Sequence, residues 1–500
     1  MRIGPLRSLT ALDAASIPSP TAKPTESRRW LTRRVPREQL YRLAPAPPKP
    51  PRLDALSSWD RVRHILLAWW AWIALALVLE ETGWRITGLV GGAVGFILYH
   101  ISPDTHPGVY ALEPDFDAGS AEFKTTMAGA TGMPLVAGNR VEIYNNGDEF
   151  YPAMLEAIES ARLSVTMEQY IFWDGEVARR FAEAFAEKAR QGVPVKLLLD
   201  AIGSAILGSE VFEILAAGGC AVAWFRPIHW YTIHRANRRN HRKSLIVDGR
   251  IAFAGGSGIA DHWLGNGAGP QEWRDVQISV EGPAVLAQQT GFVQNWLVAT
   301  GEILGGHRFF PEPHLAGEVP VQTILSSPSS GAGAAGTMYL IALQCARRFV
   351  HIANPYFIPD SRVIALLARA CRRGVKVKLM LAGWHNDTWW ARQNSVRLYG
   401  RLLAAGVEIH EYQPTMLHQK TMIVDGAWAT VGTANFDNRS FALNEESNVC
   451  FHDPELVQRL EAIFQTDLSL CRQVRAADWR KRGTWQRTKE VVASLAEEQM

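Results

Sequence analysis

Residues 158–201 read IESARLSVTMEQYIFWDGEVARRFAEAFAEKARQGVPVKLLLDA, and residues 342–382 read ALQCARRFVHIANPYFIPDSRVIALLARACRRGVKVKLMLA. Both begin with an apolar, β-rich run and reach a turn carrying Asp174 or Asp360. An amphipathic helix follows, then a glycine (Gly192 or Gly374) and a short strand over 195–199 or 377–381. This is a strand–helix–strand unit, whose parallel strands are expected to be joined by a right-handed crossover. Each copy then repeats a helix-to-strand step, over 212–223 and 396–409. The chain is therefore a sequence written twice. It predicts an α/β fold of two similar halves, each a β-sheet flanked by helices, packed face to face with a site at their junction.

Each copy goes on to a polar motif: His241-Arg-Lys243-Ser-Leu-Ile-Val-Asp248 in the first and His418-Gln-Lys420-Thr-Met-Ile-Val-Asp425 in the second. Both are HxKxxxxD, and both lead to a turn of small residues, Gly255-Gly256-Ser257-Gly258 or Gly432-Thr433-Ala434-Asn435. Three fixed residues recur by chance roughly once in 8,000 positions, so one copy is weak evidence; two copies in matching places of a duplicated unit are strong evidence. On a strand, positions i and i+2 share a face, so each His and Lys is expected to project together. Two such strands would bring two imidazoles and two ammonium groups into one cleft. That set of potential cations suits an anion, and a phosphodiester fits. One neutral imidazole can attack phosphorus and form a phosphohistidine, while the other, protonated, gives its proton to the leaving alkoxide. The lysines and the Asn435 amide would neutralise charge on the equatorial oxygens. No metal or cofactor is needed. Asp248 and Asp425 complete the motifs, but each precedes a glycine, which marks them as turn-forming.

Over residues 140–480 the chain resembles the phospholipase D superfamily, and within it the bacterial cardiolipin synthases. The paired HxKxxxxD motifs carry the general likeness. The closer one lies in Trp273-Arg274-Asp275, in Asn354-Pro-Tyr-Phe-Ile-Pro359, in Glu411-Tyr-Gln-Pro414 ahead of His418, and in Asp437-Asn-Arg439-Ser440-Phe441 with Leu443-Asn444-Glu-Glu446. The resemblance implies that His241 and His418 share the nucleophile and general-acid roles and that Lys243 and Lys420 bind phosphate. It also implies that Asp275 and Glu446 each support a catalytic imidazole. From spacing alone, both carboxylates merely follow their own motif's histidine by about thirty residues, a weak signal. The sequence departs from the family at Gly258, where a Gly-Gly-x-Asn-like turn is usual. Ser257, one position earlier, is expected to point the other way.

The rest of the 500 residues is uneven in composition. Overall apolar content of 47% and a mean hydropathy of -0.07 exclude a mostly disordered chain and a polytopic transporter. Ten of the 27 prolines fall at or before Pro51, and residues 1–63 hold 13 Lys+Arg against 5 Asp+Glu. The formal charge of +3 therefore hides a basic arm at +8 and a remainder near -5. Residues 1–60 read as a disordered arm. Two apolar runs, 65–79 and 86–99, form a helical hairpin across 61–101, flanked by Trp69, Trp70, Trp72, Trp84 and Tyr99 as interfacial aromatics. At 15 residues the first run spans about 22 Å, short of the roughly 30 Å hydrocarbon layer, so a buried soluble hairpin is the competing reading. The expected organisation continues with a linker (102–139), a first half (140–305), a second half (306–475) and a helical tail (476–500). The Gly/Ser stretch 326–336 reads as the connection between halves and holds no P-loop. Five scattered cysteines argue against a disulfide framework or a zinc site. The basic aromatic segment 225–242 is either an interfacial headgroup-binding loop or an ordinary solvated one. Trp384, Trp389 and Trp390 are expected to pack, with contact to lipid as the competing reading.

Three functions stay open at this point: a membrane phosphatidyltransferase making cardiolipin from phosphatidylglycerol (or a related phospholipid donor and alcohol acceptor), a hydrolase using water as acceptor on phospholipid or nucleic acid, and a non-catalytic lipid-binding scaffold. The apolar pair and the modest net charge favour phospholipid and membrane partners over nucleic acid. The intact histidines disfavour the scaffold. The expected location is the bacterial inner membrane, with the catalytic region facing the cytoplasm.

Overall fold

The computed structural model describes residues 114–228, 237–328 and 333–494, with residues 72, 83, 86–93 and 112. The basic arm, most of the expected hairpin and residues 229–236 lie outside these. Among the described residues no helix is long and apolar enough to cross a membrane.

The duplication is visible strand by strand. Strands β1 (Val136–Asn145), β2 (Val165–Gln169), β3 (Val195–Asp200), β4 (Ala221–Phe225), β5 (Ser244–Val247), β6 (Ile251–Gly255) and β7 (Val276–Glu281) build the first half. The second is built from β8 (Val319–Ser326), β9 (Phe349–Asn354), β10 (Lys376–Ala382), β11 (Glu408–Tyr412), β12 (Thr421–Val424), β13 (Trp428–Gly432), β14 (Glu446–Phe451) and a final β15 (Cys471–Val474). Read outward from the centre, the first half runs β1-β7-β6-β5-β2-β3-β4 and the second β8-β14-β13-β12-β9-β10-β11-β15. Sequence reading placed two sheets face to face. In the structure they are also joined edge to edge, because β1 pairs antiparallel with β8 through an irregular register, giving one mixed sheet of 15 strands. Within each half β2∥β3∥β4 and β9∥β10∥β11 are parallel, while β5 and β12 run antiparallel to β2 and β9.

The helices follow from the same pattern. Along α3 (Glu176–Arg190; α1 is Ala121–Thr131 and α2 Gly147–Ser160), Val177, Ala178, Phe181, Ala182, Phe185 and Ala186 are buried, a stripe at helical spacing. Its first-turn N–H groups on Glu176 and Val177 donate to the carboxylate of Asp261, not of Asp174. In the second half α7 (Ser361–Arg372; between them lie α4 Ser209–Gly218, α5 Val285–Thr300 and α6 Ala334–Cys345) is capped by Asp360 itself. Gly192 and Gly374 take φ of 84° and 90° just past these helices, a conformation that favours glycine. The stretch 326–336 runs from the end of β8 to the start of α6, so it lies inside the second half; the chain crosses between halves over 301–318.

Alternation along the strands sorts the core into layers. Leu245, Val247 and Phe253 face outward with α2 and α3, and Met422 and Val424 face the helices of the second half. Ile246, Ala254 and Ile278 turn inward and share one cluster with Ile423, Val431 and Val449. That shared cluster makes the two halves a single folding unit and brings their motifs to one junction.

Candidate active site

His241 and Lys243, and likewise His418 and Lys420, sit in the extended approach to β5 and β12 and not on the strands themselves. Each approach is held by the opposite half. The N–H of His241 donates to Glu445 O, and Glu445 N–H to Arg239 O, a short parallel bridge. The matching bridge carries His418 N–H to Arg274 O and Arg274 N–H to Met416 O. The residue after each bridging partner is an acid, which fixes the pairing across the junction. His241 Nδ1–H donates to Glu446 at 3.0 Å, and His418 Nδ1–H donates to Asp275 at 2.9 Å. Sequence spacing left the partners unassigned; the structure crosses them, each histidine with the carboxylate of the other half.

Both carboxylates are fully buried and heavily hydrogen-bonded. Glu446 also accepts from the Thr433 hydroxyl. Asp275 accepts from the Trp263 indole at 3.0 Å and from Val276 N–H at 2.9 Å. Although burial opposes ionisation, the His241 and Lys243 charges hold Glu446 down to about 2; the His418 hydrogen bond and neighbouring cations likewise keep Asp275 below the usual range. The imidazoles respond oppositely. Burial, with Lys243 and Lys420 nearby, lowers His241 and His418 to about 4, partly offset by their carboxylates. With Nδ1 carrying the hydrogen, each ring presents Nε2 to the cleft.

Lys243 donates to His241 O at 2.9 Å and lies 5.3 Å from the Tyr170 ring, which meets His241 edge-on at 5.2 Å. Lys420 Nζ is 3.1 Å from the His418 ring nitrogens. Burial and mutual repulsion lower Lys243 to about 7, and burial lowers Lys420 to about 8. An anion seated between them would restore both charges. Trp263 and Trp273 wall the other side of His418, at 5.3 and 5.2 Å between centroids.

The two halves differ at the turn. Asn435 is buried, and its side-chain oxygen finds no hydrogen-bond partner among the described residues. At Gly258 an added Cβ would lie 2.8 Å from Ile171 Cβ and 3.0 Å from Ile171 O. The bridges Phe172–Ile259 and Phe357–Phe436 make Tyr356 the counterpart of Ile171. The first half thus fills with Ile171 the space an asparagine would need. Ser257 points away and donates to Gln277.

Asp248 and Asp425 stand at the far ends of β5 and β12, roughly 15 Å along the strand from the lysines. Both have positive φ, 54° and 55°, and precede a glycine that does too. Asp248 accepts from the N–H groups of Arg162, Leu163 and Ser164, and Asp425 from those of Arg347, Arg348 and Phe349. They pin each hairpin to the segment entering β2 or β9 and take no place in the cleft.

Sequence reading picks out Tyr356 and Asp437 only within family motifs, and gives no role to either or to Tyr170 and Asp387. Tyr356 donates to Asp387, whose charge offsets part of the lowering of His418 and Lys420, and buried Asp437 is pushed up to about 6 by desolvation. Tyr170 and Tyr356 each follow a core strand, where a tyrosine in an apolar run reads as packing.

Comparison with known proteins agrees with this geometry. The family model described as "Cardiolipin synthase, PLD-like domain" matches residues 154–264 and 339–468, one match for each half. A cardiolipin synthase of Listeria welshimeri is 34% identical over 367 residues, covering 73% of this chain and 76% of that protein. One from Oceanobacillus iheyensis is 35% identical, covering 71% and 74%, and a probable cardiolipin synthase of Bacillus subtilis is 31% identical, covering 75% of each. The fold is similar to that of a phosphatidylserine synthase of Haemophilus influenzae, with TM-score 0.58 and 13% identity, covering 75% of this chain and 97% of that one. The chain belongs to the cardiolipin synthase family of proteins with paired phospholipase D-like domains.

Proposed function

We propose that this protein transfers a phosphatidyl group from one phosphatidylglycerol to the glycerol hydroxyl of a second, forming cardiolipin and releasing glycerol. The observation that carries the reading is the crossed pair of His–carboxylate couples, at 3.0 and 2.9 Å, enclosing two buried lysines. His241 Nε2 attacks phosphorus, and His418, charged once the phosphate anion has raised its pKa, protonates the departing glycerol oxygen. Glu446 stabilises the positive charge that His241 acquires as it becomes a phosphohistidine. His418, now neutral, takes the proton from the incoming hydroxyl, whose oxygen displaces His241 from phosphorus. Lys243, Lys420 and the Asn435 amide stabilise the charged equatorial oxygens in both steps. No proton is gained or lost over the cycle, so one site serves both half-reactions.

Both histidines are buried, which restricts water and favours an alcohol acceptor over hydrolysis. The apolar runs within 61–101 would anchor the chain to the bacterial inner membrane, with the catalytic halves on its cytoplasmic face. Trapping the intermediate tests the assignment of the nucleophile. Protein given ³²P-labelled phosphatidylglycerol, quenched in detergent and digested at alkaline pH where the P–N bond survives, should carry label on a peptide containing His241; label on His418 instead would reverse the two roles.

A further inference from the structure

The strands that carry the site end in loops that are far from polar. Asp200, the last residue of β3, accepts from Asn240 N–H, one residue before His241. The turn beyond it is fixed from behind: Ser204 donates to Tyr170 O at 2.9 Å, and the Trp173 indole donates to Gly203 O at 2.7 Å. That turn presents Ile202 and Ile206 outward, 41% and 63% exposed. In the second half β10 ends at the corresponding place. Its loop is fixed by Tyr356 to Asp387 and leads into α8 (Trp389–Ala404). Trp384 is 78% exposed, and Trp389 and Trp390, in edge-to-face contact at 4.9 Å, are 43% and 44% exposed. Sequence reading favours packing over lipid contact for these three indoles; Trp384 stands in solvent and the other two are partly exposed. Beyond β4, Ile228 is also exposed, and Arg238, exposed itself, is tied by its backbone carbonyl to Arg226, two residues before Ile228.

The two lips are thus held by Tyr170 and Tyr356, which follow β2 and β9 and also border the site. Rigid apolar side chains that face water on both sides of a mouth need an apolar partner. A protein docked there would cover the route to the histidines. A bilayer would not, because its lipids are what must enter. Indoles suit the membrane–water boundary, and a nearby arginine suits anionic headgroups.

We propose that the mouth of the cleft docks on the phospholipid bilayer through Ile202, Ile206, Trp384, Trp389 and Trp390, so that a phosphodiester reaches the histidines while its acyl chains stay in lipid. This rests on the phospholipid reading above but adds a second contact, separate from residues 61–101. The docked face orients the catalytic halves over the membrane.

The test uses the full chain in lipid nanodiscs. Turnover of bilayer phosphatidylglycerol is compared with turnover of a short-chain phosphatidylglycerol dispersed below its micellar concentration. Substituting all three indoles (W384A, W389A, W390A) should lower the bilayer rate about tenfold or more and change the dispersed-substrate rate by less than about twofold. Ile303 is as exposed as Trp384 but neighbours Glu302, which pairs with Lys196 at the opposite end of β3, so Ile303→Ser should change neither. Equal loss on both substrates, or no loss on the bilayer, overturns the proposal. Fluorescence provides an independent arm: the wild-type emission lost in Trp384→Phe should be quenched by lipids with brominated acyl chains. If the protein turns over neither lipid yet shows that quenching, docking stands and phosphatidyl transfer falls. Absence of quenching overturns docking whatever the turnover.

Discussion

Replacing Asp275 with asparagine probes the crossed pairing in its most specific form. The substitution keeps the side chain's volume, and its amide oxygen can still accept from the Trp263 indole or from Val276 N–H. What it removes is one negative charge 2.9 Å from His418 Nδ1. With charge centres about 4 Å apart and an effective dielectric constant of about 20, that charge stabilises the His418 cation by about 4 kcal/mol. Its loss pushes the His418 pKa still further down, by two to three units on the order of 1.4 kcal/mol each. His418 must carry a proton to protonate the leaving glycerol, so kcat on phosphatidylglycerol should fall roughly 100- to 1,000-fold. The same variant should behave differently on a phosphatidyl donor with a p-nitrophenol leaving group, which departs without a proton. A burst of nitrophenol, reporting His241 attack alone, should survive within about threefold. Glu446→Gln should do the reverse and slow the burst itself, because Glu446 supports His241. A loss below about tenfold on phosphatidylglycerol, or equal losses on both donors in Asp275→Asn, would refute the crossed assignment.

Three further outcomes follow from the packing. Gly258→Ala puts a Cβ 2.8 Å from that of Ile171, and should cost about 1–3 kcal/mol, read as a lower melting temperature that the second substitution Ile171→Ala recovers in part. Asp425→Ala strips the acceptor from three backbone N–H groups far from the cleft; it should lower the melting temperature while the refolded, soluble fraction keeps near-normal kcat. His452 is buried, and neither of its ring nitrogens has a hydrogen-bond partner among the described residues; burial lowers its pKa from 6.5 to about 4. The unfolded chain therefore takes up that proton first, so stability is intact above pH 6.5 and declines as pH falls towards 4, by at most roughly 3 kcal/mol. Denaturant melts of His452→Phe from pH 7 to 4 should show a shallower decline than the wild type, and parallel curves would exclude His452 as a contributor.

The sequence disclosed what repeats and concealed what does not. The two HxKxxxxD motifs stand at fixed spacing in a duplicated frame, so His241, Lys243, His418 and Lys420 were identifiable at once. Parallel pairing of β2 with β3 and of β9 with β10 followed from the intervening helices. The crossed carboxylates did not follow, because Asp275 and Glu446 lie similar distances after their own motifs and either partner satisfies that spacing. Only the bridges from Asn240 to Glu445 and from Arg274 to Leu417 decide it. The β1–β8 seam carries no motif, and its irregular register leaves no periodic trace. Exposure was also illegible at Trp384, Trp389 and Trp390: a cluster of indoles beside an amphipathic helix has the same composition whether it packs inward or faces out. At Gly258 the sequence shows the missing amide but not that Ile171 leaves no room for a side chain there.

The most direct test of the central claim is mass spectrometry of the lipids formed when purified protein is given phosphatidylglycerol alone. Cardiolipin and free glycerol should accumulate together in equal amounts, and both should vanish in His241→Ala and in His418→Ala. Phosphatidic acid as the dominant product would make water the acceptor, and an unchanged phospholipid pool would contradict the account altogether.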